Sequence, residues 1–353
     1  MLALKDVARR VGAQTHIHPT NLELQAGGFN ILLGTTLAGK TSLLQIMAGL
    51  TQPSAGRVWF DGHDVTGVAV QKRNVAMVFQ QFINYPNLSV YENIASPLRV
   101  ARTADAEVRR RVGHVAELLG LAPLLARRPA ELSGGQQQRT ALARALVKDA
   151  DIVLLDEPLA NLDYKLREGL REELPRLFAD RASTVVYATT EPGEALLLGG
   201  YTATLHEGRV TQYGPSGTVY RDPVDLDTAR VFSDPPINTA TVEKRGARIQ
   251  LSAEVGWAAE GRLRALADGR YTVGLRPHHV LPAGRGGGVA VECKVLIDEI
   301  SGSESVVHFD LEGLTWVSLS HGVQRFALGE TARFELDVAH CLYFTPDGAR
   351  VAA

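Results

Sequence analysis

The octapeptide GTTLAGKT, Gly34 to Thr41, lies between an apolar run, FNILL, and a helical pattern, TSLLQIMAG. It fits G-x-x-x-x-G-K-S/T in the strand-to-helix setting in which that pattern wraps phosphate. Its glycines let backbone N–H groups close around phosphate oxygens, and the helix start adds partial positive charge. Lys40 is placed to neutralise the outer phosphates, and Thr41 to offer a hydroxyl to Mg2+. Such a loop leaves the carboxyl edge of a buried strand, so the fold must contain an α/β sheet. A chance Gly-rich turn carrying a lysine is the bland alternative, and the flanks argue against it. The expected phosphate-binding residues are Gly34, Thr35, Thr36, Leu37, Ala38, Gly39, Lys40, Thr41 and Ser42.

Apolar runs and helical patterns alternate up to about residue 232, which favours a mainly parallel sheet. Phe29 to Leu33, Asp151 to Leu155 and Thr184 to Ala188 read as strands buried on both faces. Ala104 to Leu119 carries Val108, Val112, Val115 and Leu119 at helical spacing, with Thr103 as the expected cap, inside a helical subdomain of about 86–150. SDPPIN, Ser233 to Asn238, reads as a boundary. From 236 to 353 the texture changes to short alternating segments such as YTVGL, VAVECKVLI and ARFELDV separated by Gly-rich turns, which predicts a small all-β domain of barrel type. A length of 353 residues fits two domains.

With 37 basic against 39 acidic side chains there is no field to hold a nucleic-acid backbone, so nucleic acid is not an expected partner. The start, MLALKDVARRVGAQ, lacks the apolar core of a signal peptide, and no run approaches the length of a membrane span, which predicts a cytoplasmic chain. Cys293 and Cys341 stand apart with no CxxC or clustered His, so neither a disulfide framework nor a zinc site is expected.

DIVLLDEP, Asp151 to Pro158, is a second apolar strand ending in paired carboxylates. Asp156 suits Mg2+, and Glu157 suits polarising an attacking water. An acidic turn at a strand end is common in isolation, and the phosphate loop upstream makes that reading the weaker one. LSGGQQQR, Leu132 to Arg139, starts another helix: Ser133 is a good cap, and Gly134 and Gly135 leave N–H groups uncovered ahead of Gln136. One triphosphate does not need two such helix starts in one chain.

A phosphate loop, then LSGGQ, then DIVLLDEP is the order of motifs in ATP-binding cassette (ABC) proteins, which the chain resembles along essentially its whole length. The resemblance implies an ATPase using ATP and Mg2+, with Gln80 of VAMVFQQF at a position that senses the γ-phosphate and Mg2+ and contacts membrane subunits. LANLD, Leu159 to Asp163, resembles the loop that crosses the interface between two cassettes. In that family two cassettes sandwich two ATP molecules head to tail, each site pairing one phosphate loop with the partner's LSGGQ. NYPNLSVYENIASPL, VGLRPHH and ISGSES resemble the maltose-type sugar importer ATPases, whose C-terminal domain is an OB-like regulatory barrel. GTTLAGKT, QQFINYP and YATTEPGEALLLGG resemble an ATP-binding subunit of bacterial glycerol importers. The resemblance thus implies a peripheral protein on the cytoplasmic face of the cell membrane, working with two integral-membrane permeases, an external solute-binding protein and a second cassette.

The chain also departs from that family. Where a T-H-D strand end supplies a histidine to the γ-phosphate, YATTEPGEAL places Thr190, with Glu191 at the aspartate. Threonine is shorter and carries no proton, and losing a transition-state contact of that kind costs on the order of a hundred- to a thousandfold in rate. Val11 stands where an aromatic side chain stacks on adenine, leaving His16 or His18 as substitutes, and Leu37 stands where glycine is frequent. These departures fall on the chain's own nucleotide site while LSGGQ is intact, which suggests a heterodimer with an impaired site on this chain. Two other readings stay open: a homodimer that turns over without the histidine, with Thr190 simply a β-branched strand end, and an ATP-binding regulatory subunit with little hydrolysis of its own. A soluble cassette acting in DNA repair or on ribosomes is disfavoured by the near-zero charge and the lack of coiled-coil heptads.

Overall fold

The computed structural model describes residues 1–160, 162–179, 183–284 and 288–351. They form two compact units, Met1–Thr218 and Val219–Ala353. No described helix is long and apolar enough to cross a membrane.

In the first unit the strands are β1 (Leu2–Val11), β2 (Gln14–Glu23), β3 (Phe29–Gly34), β4 (Ala55–Phe60), β5 (His63–Asp64), β6 (Val75–Val78), β7 (Ile152–Asp156), β8 (Thr184–Thr189), β9 (Tyr201–His206) and β10 (Arg209–Pro215). Among the described residues they make an antiparallel sheet, β2-β1-β4-β5, and a sheet of order β10-β9-β3-β8-β7-β6. The run from β9 to β6 is parallel, and β10 adds antiparallel to its edge. Strands β3, β7 and β8 are buried at every position, as continuous apolar runs require when both faces are covered. Leu32, Leu154 and Val186 pack with Leu43, Leu44 and Met47 of α1 (Lys40–Ala48), each buried side chain contributing about 1.5–3 kcal/mol. The phosphate loop is therefore the taut connection between a central strand and a helix that it buries.

Helices α2 (Val90–Val100), α3 (Asp105–Leu118) and α4 (Gly134–Leu146) lie between β6 and β7 in the chain, and α5 (Tyr164–Ala179) and α6 (Pro192–Leu198) follow β7 and β8. Val108, Val112, Val115 and Leu119 are all buried. Thr103 does not cap α3; Ala104 holds that place without a side-chain bond. The Thr103 N–H instead closes the preceding helix, 3.0 Å from the Leu98 carbonyl.

Among its described residues the second unit is mainly β, with a short helix, Leu226–Val231, and several single helical turns, as its sequence texture implies. Its strands are β11 (Asn238–Arg245), β12 (Arg248–Gln250), β13 (Gly256–Ala258), β14 (Gly269–Leu275), β15 (Val280–Pro282), β16 (Val289–Ile300), β17 (Glu304–Leu311), β18 (Leu314–His321), β19 (Thr331–Leu336) and β20 (Leu342–Phe344). They form two sheets, β13-β12-β11-β14-β20 and β15-β19-β16-β17-β18. The Ser318 hydroxyl donates to the Val280 carbonyl, drawing β18 back to β15 so that the second sheet nearly closes into a barrel. Asn238 spans the sheets, donating to the Val317 carbonyl at 2.8 Å and accepting from its N–H at 2.6 Å. Phe309 and Phe334 stack at 4.4 Å in the core, and Trp257 Nε1 donates to the Tyr343 hydroxyl at 2.8 Å. Cys293 and Cys341 are free and buried, and burial pushes both thiols up to about 12.

Candidate functional site

The phosphate loop leaves β3 at Gly34 and enters α1 at Lys40, with no side chain capping the helix start. Gly39 has φ 104°, and a Cβ there would sit 2.6 Å from Ile17 Cδ1 on β2, so both backbone conformation and close approach demand glycine. Leu37 has φ 67°, which is the reason glycine is frequent at that place, and its side chain is 96% exposed. Lys40 is buried and donates to the carbonyls of Gly34 at 2.9 Å and Thr35 at 3.1 Å. Its Nζ also lies 3.4 Å from Glu157 Oε1. Burial holds the Lys40 ammonium below the ordinary lysine range, and the Glu157 carboxylate partly offsets this.

Asp156 ends β7, buried, and Glu157 follows in a left-handed conformation at φ 46° that turns its carboxylate back to Lys40. The Glu157 N–H donates to the Ala188 carbonyl on β8 at 3.0 Å, which helps fix the turn. Burial, first, and the neighbouring Glu157 charge push the Asp156 carboxyl up, and a hydrogen bond with Thr41 opposes them. The other Asp156 oxygen, Oδ1, is buried with no protein partner. Gln80, just past β6, donates from Nε2 to Glu157 Oε2 at 3.3 Å. Thr36, Leu37, Gly39, Lys40, Thr41, Ser42, Gln80 and Glu157 line one cleft of about 580 Å3. Its far wall comes from Gln14, Thr15 and His16 of β2 and from Glu207 and Gly208 of the turn after β9.

Other expected residues stand elsewhere. Ser133, Gly134, Gly135 and Gln136 open α4 outside the cleft lining, and Ser133 and Gln136 exchange backbone and side-chain hydrogen bonds in a capping box. Thr190 lies exposed beyond the end of β8 and does not line the cleft. Its neighbour Thr189 is the buried one: its hydroxyl donates to Glu194 at 2.6 Å and accepts from the Glu191 N–H at 3.0 Å. Val11 is 48% exposed and outside the lining, whereas His16 is within it; the His18 N–H donates to the Gly208 carbonyl at 2.9 Å. In the stretch Leu159 to Asp163, Asn161 lies outside the described residues; Asp163 accepts from the Leu166 N–H at 3.0 Å as α5 begins.

Two groupings were not foreseen from sequence. Gln138 of α4 donates to the Pro158 carbonyl at 2.7 Å, tying the LSGGQ helix to the residue after Glu157. Glu194, buried in α6, accepts from Thr189, from the Tyr187 hydroxyl at 3.0 Å and from Arg171 at 3.0 and 3.1 Å. The one sequence signal for the second was an acid placed among apolar helix residues in PGEALLL.

The ABC transporter profile matches residues 17–160, and a TOBE domain profile matches 273–344. The whole chain is 34% identical to the sn-glycerol-3-phosphate import ATP-binding protein UgpC of Cupriavidus necator, over 99% of that protein. The chain belongs to the ABC transporter ATP-binding proteins. It is 37% identical to the trehalose/maltose import ATP-binding protein MalK of Thermococcus litoralis, over 89% of each chain. Among solved structures, the chain is 30% identical to a dimeric ATP-binding cassette, MJ0796, in a post-hydrolysis state bound to ADP and Pi; the match has a TM-score of 0.56 and covers 61% of this chain and 99% of that one. The first unit thus holds the ABC transporter match, residues 17–160, and the second unit the TOBE domain match, residues 273–344.

Proposed function

We propose that the chain is the ATP-hydrolysing subunit of an ABC importer for a small polyhydroxylated solute, a sugar, a polyol or a phosphate ester of one. The observation that carries the reading is the placement of Lys40, Glu157 and Gln80 in one cleft. In the free site the Lys40 ammonium is shared between loop carbonyls and Glu157; phosphates entering the loop compete for it and leave Glu157 as the acceptor facing a water on the outer phosphate. Asp156 and Thr41 already meet, and the unpartnered buried Asp156 Oδ1 fits a Mg2+ held by Asp156, Thr41 and Gln80. That ion, when bound, neutralises phosphate charge. His16 is the side chain we assign to the adenine, since it lines the cleft where Val11 does not.

Ser133 to Gln136 lie outside the chain's own cleft, which supports a second cassette lending its signature helix in trans. We assign that role to an unlike partner, with two permeases and an external solute-binding protein completing an importer on the cytoplasmic face of the cell membrane. The support is Thr190: exposed and outside the cleft lining, it supplies no imidazole to the γ-phosphate. The solute class follows the relatives, named for sn-glycerol-3-phosphate and trehalose/maltose import.

In the assembled transporter, Glu157→Gln is expected to lower ATP turnover far less than the matching change in the partner cassette, whose loss should be roughly 10²–10⁴-fold, with ATP binding retained in both. Equal, severe losses from the two changes contradict an impaired site on this chain, and turnover equal to wild type with nucleotide still bound supports the regulatory-subunit reading. Thr190→His is expected to raise turnover severalfold. No gain there, with a single cassette gene beside the permease genes, establishes the homodimer instead.

A further inference from the structure

Two single-turn helices in the second unit bring together side chains that are scattered in sequence. Pro277–His279 precedes β15, and Val338–His340 follows β19. The Asp337 N–H donates to the His279 carbonyl at 2.9 Å, and the His340 N–H donates to the Asp337 carbonyl at 3.1 Å, so the backbone fixes the spacing of all three residues. Asp337 Oδ2 lies 2.7 Å from His340 Nδ1 and 3.6 Å from His279 Nδ1. One ligand atom from each residue thus falls within 4.8 Å of the other two.

We propose that His279, Asp337 and His340 form a binding site for a four-coordinate divalent transition ion, with zinc the best match and water in the fourth position. Two imidazole nitrogens and one carboxylate oxygen are a donor set that such ions take and that Mg2+ does not. Bonds of about 2.0–2.2 Å in a tetrahedron put neighbouring ligand atoms roughly 3.3 Å apart, and the two nitrogen-to-oxygen separations bracket that value. The His279 and His340 rings are stacked, 4.0 Å apart and 9° from parallel. An ion must lie in the plane of each ring, so one ring turns about its Cβ–Cγ bond as the ion enters. His340, 57% exposed, has solvent beside it and is the ring that turns, exchanging its hydrogen bond to Asp337 for the ion. The nearby cation Arg276 is engaged elsewhere: its guanidinium lies 3.9 Å from the Tyr220 ring and donates to the Tyr220 carbonyl. A bound ion would join the turn before β15 to the turn after β19, adding its binding energy to the stability of this unit.

The test is a titration of the tag-free full chain with Co2+ in excess Mg2+, followed by visible absorption and then by Zn2+ competition. One equivalent of Co2+ with a four-coordinate spectrum, displaced by Zn2+, is expected. His340→Ala and Asp337→Asn should each weaken binding by roughly tenfold or more, since even outer-shell losses cost 10–100-fold. His340→Cys restores a ligand atom and should regain binding, which separates loss of the site from loss of the fold. Zn2+ should raise the unfolding temperature of wild type and not that of His340→Ala. Absence of saturable Co2+ uptake by wild type, or wild-type affinity in both His340→Ala and Asp337→Asn, overturns the site.

Discussion

Leu37 lines the phosphate-loop cleft in a left-handed conformation that a leucine adopts at a cost of about 1–2 kcal/mol relative to the right-handed one. Its side chain is almost wholly exposed, so little packing in the chain itself offsets that strain. Leu37→Gly is expected to stabilise the first unit by up to about 1 kcal/mol, read as a higher unfolding midpoint, with nucleotide binding retained. A lower midpoint would reveal a contact that holds the leucine in place. That Leu37 is unusual was legible from the motif alone; that the reason is a positive φ was not, because dihedrals are set by how the loop meets β2 and α1. The two threonines divide similarly. Sequence placed both at the carboxyl edge of a strand, but which one turns inward depends on a buried acceptor, Glu194, reached across the β8–α6 turn.

At the scale of elements, what was legible was whatever a local pattern dictates. Continuous apolar runs became the buried strands β3, β7 and β8, within a residue of their expected limits, and Ser133 caps α4 as its side chain favours. The Thr103 cap failed because α3 starts one residue later, which puts Ala104, with no side-chain oxygen, at the cap position. Long-range ties escaped entirely, since no periodicity announces that Gln138 will find the Pro158 carbonyl. Replacing Gln138 by Leu leaves that carbonyl without its donor, at about 1–3 kcal/mol. Thermal unfolding should show the loss, and ATP affinity of the isolated chain should hold, because Gln138 does not line the cleft. Unchanged stability would mean another donor replaces it.

At the scale of the molecule, the short alternating segments beyond about residue 236 announced β-structure, and the near-closed sheet is what such strands with Gly-rich turns produce. The meeting of His279, Asp337 and His340 was invisible there, since residues far apart in sequence become neighbours only when β15 and β19 pair. In the first unit, the residues that would attack ATP and the residues of the signature helix occupy different places. An allele damaged at Lys40 and an allele damaged at Ser133 therefore injure different halves of a composite site. If two copies of this chain pair, co-expressing the two alleles assembles one intact site from the undamaged halves and partly restores uptake. If each copy pairs with an unlike subunit, the two alleles never share a dimer, and the doubly transformed cell stays as deficient as either parent.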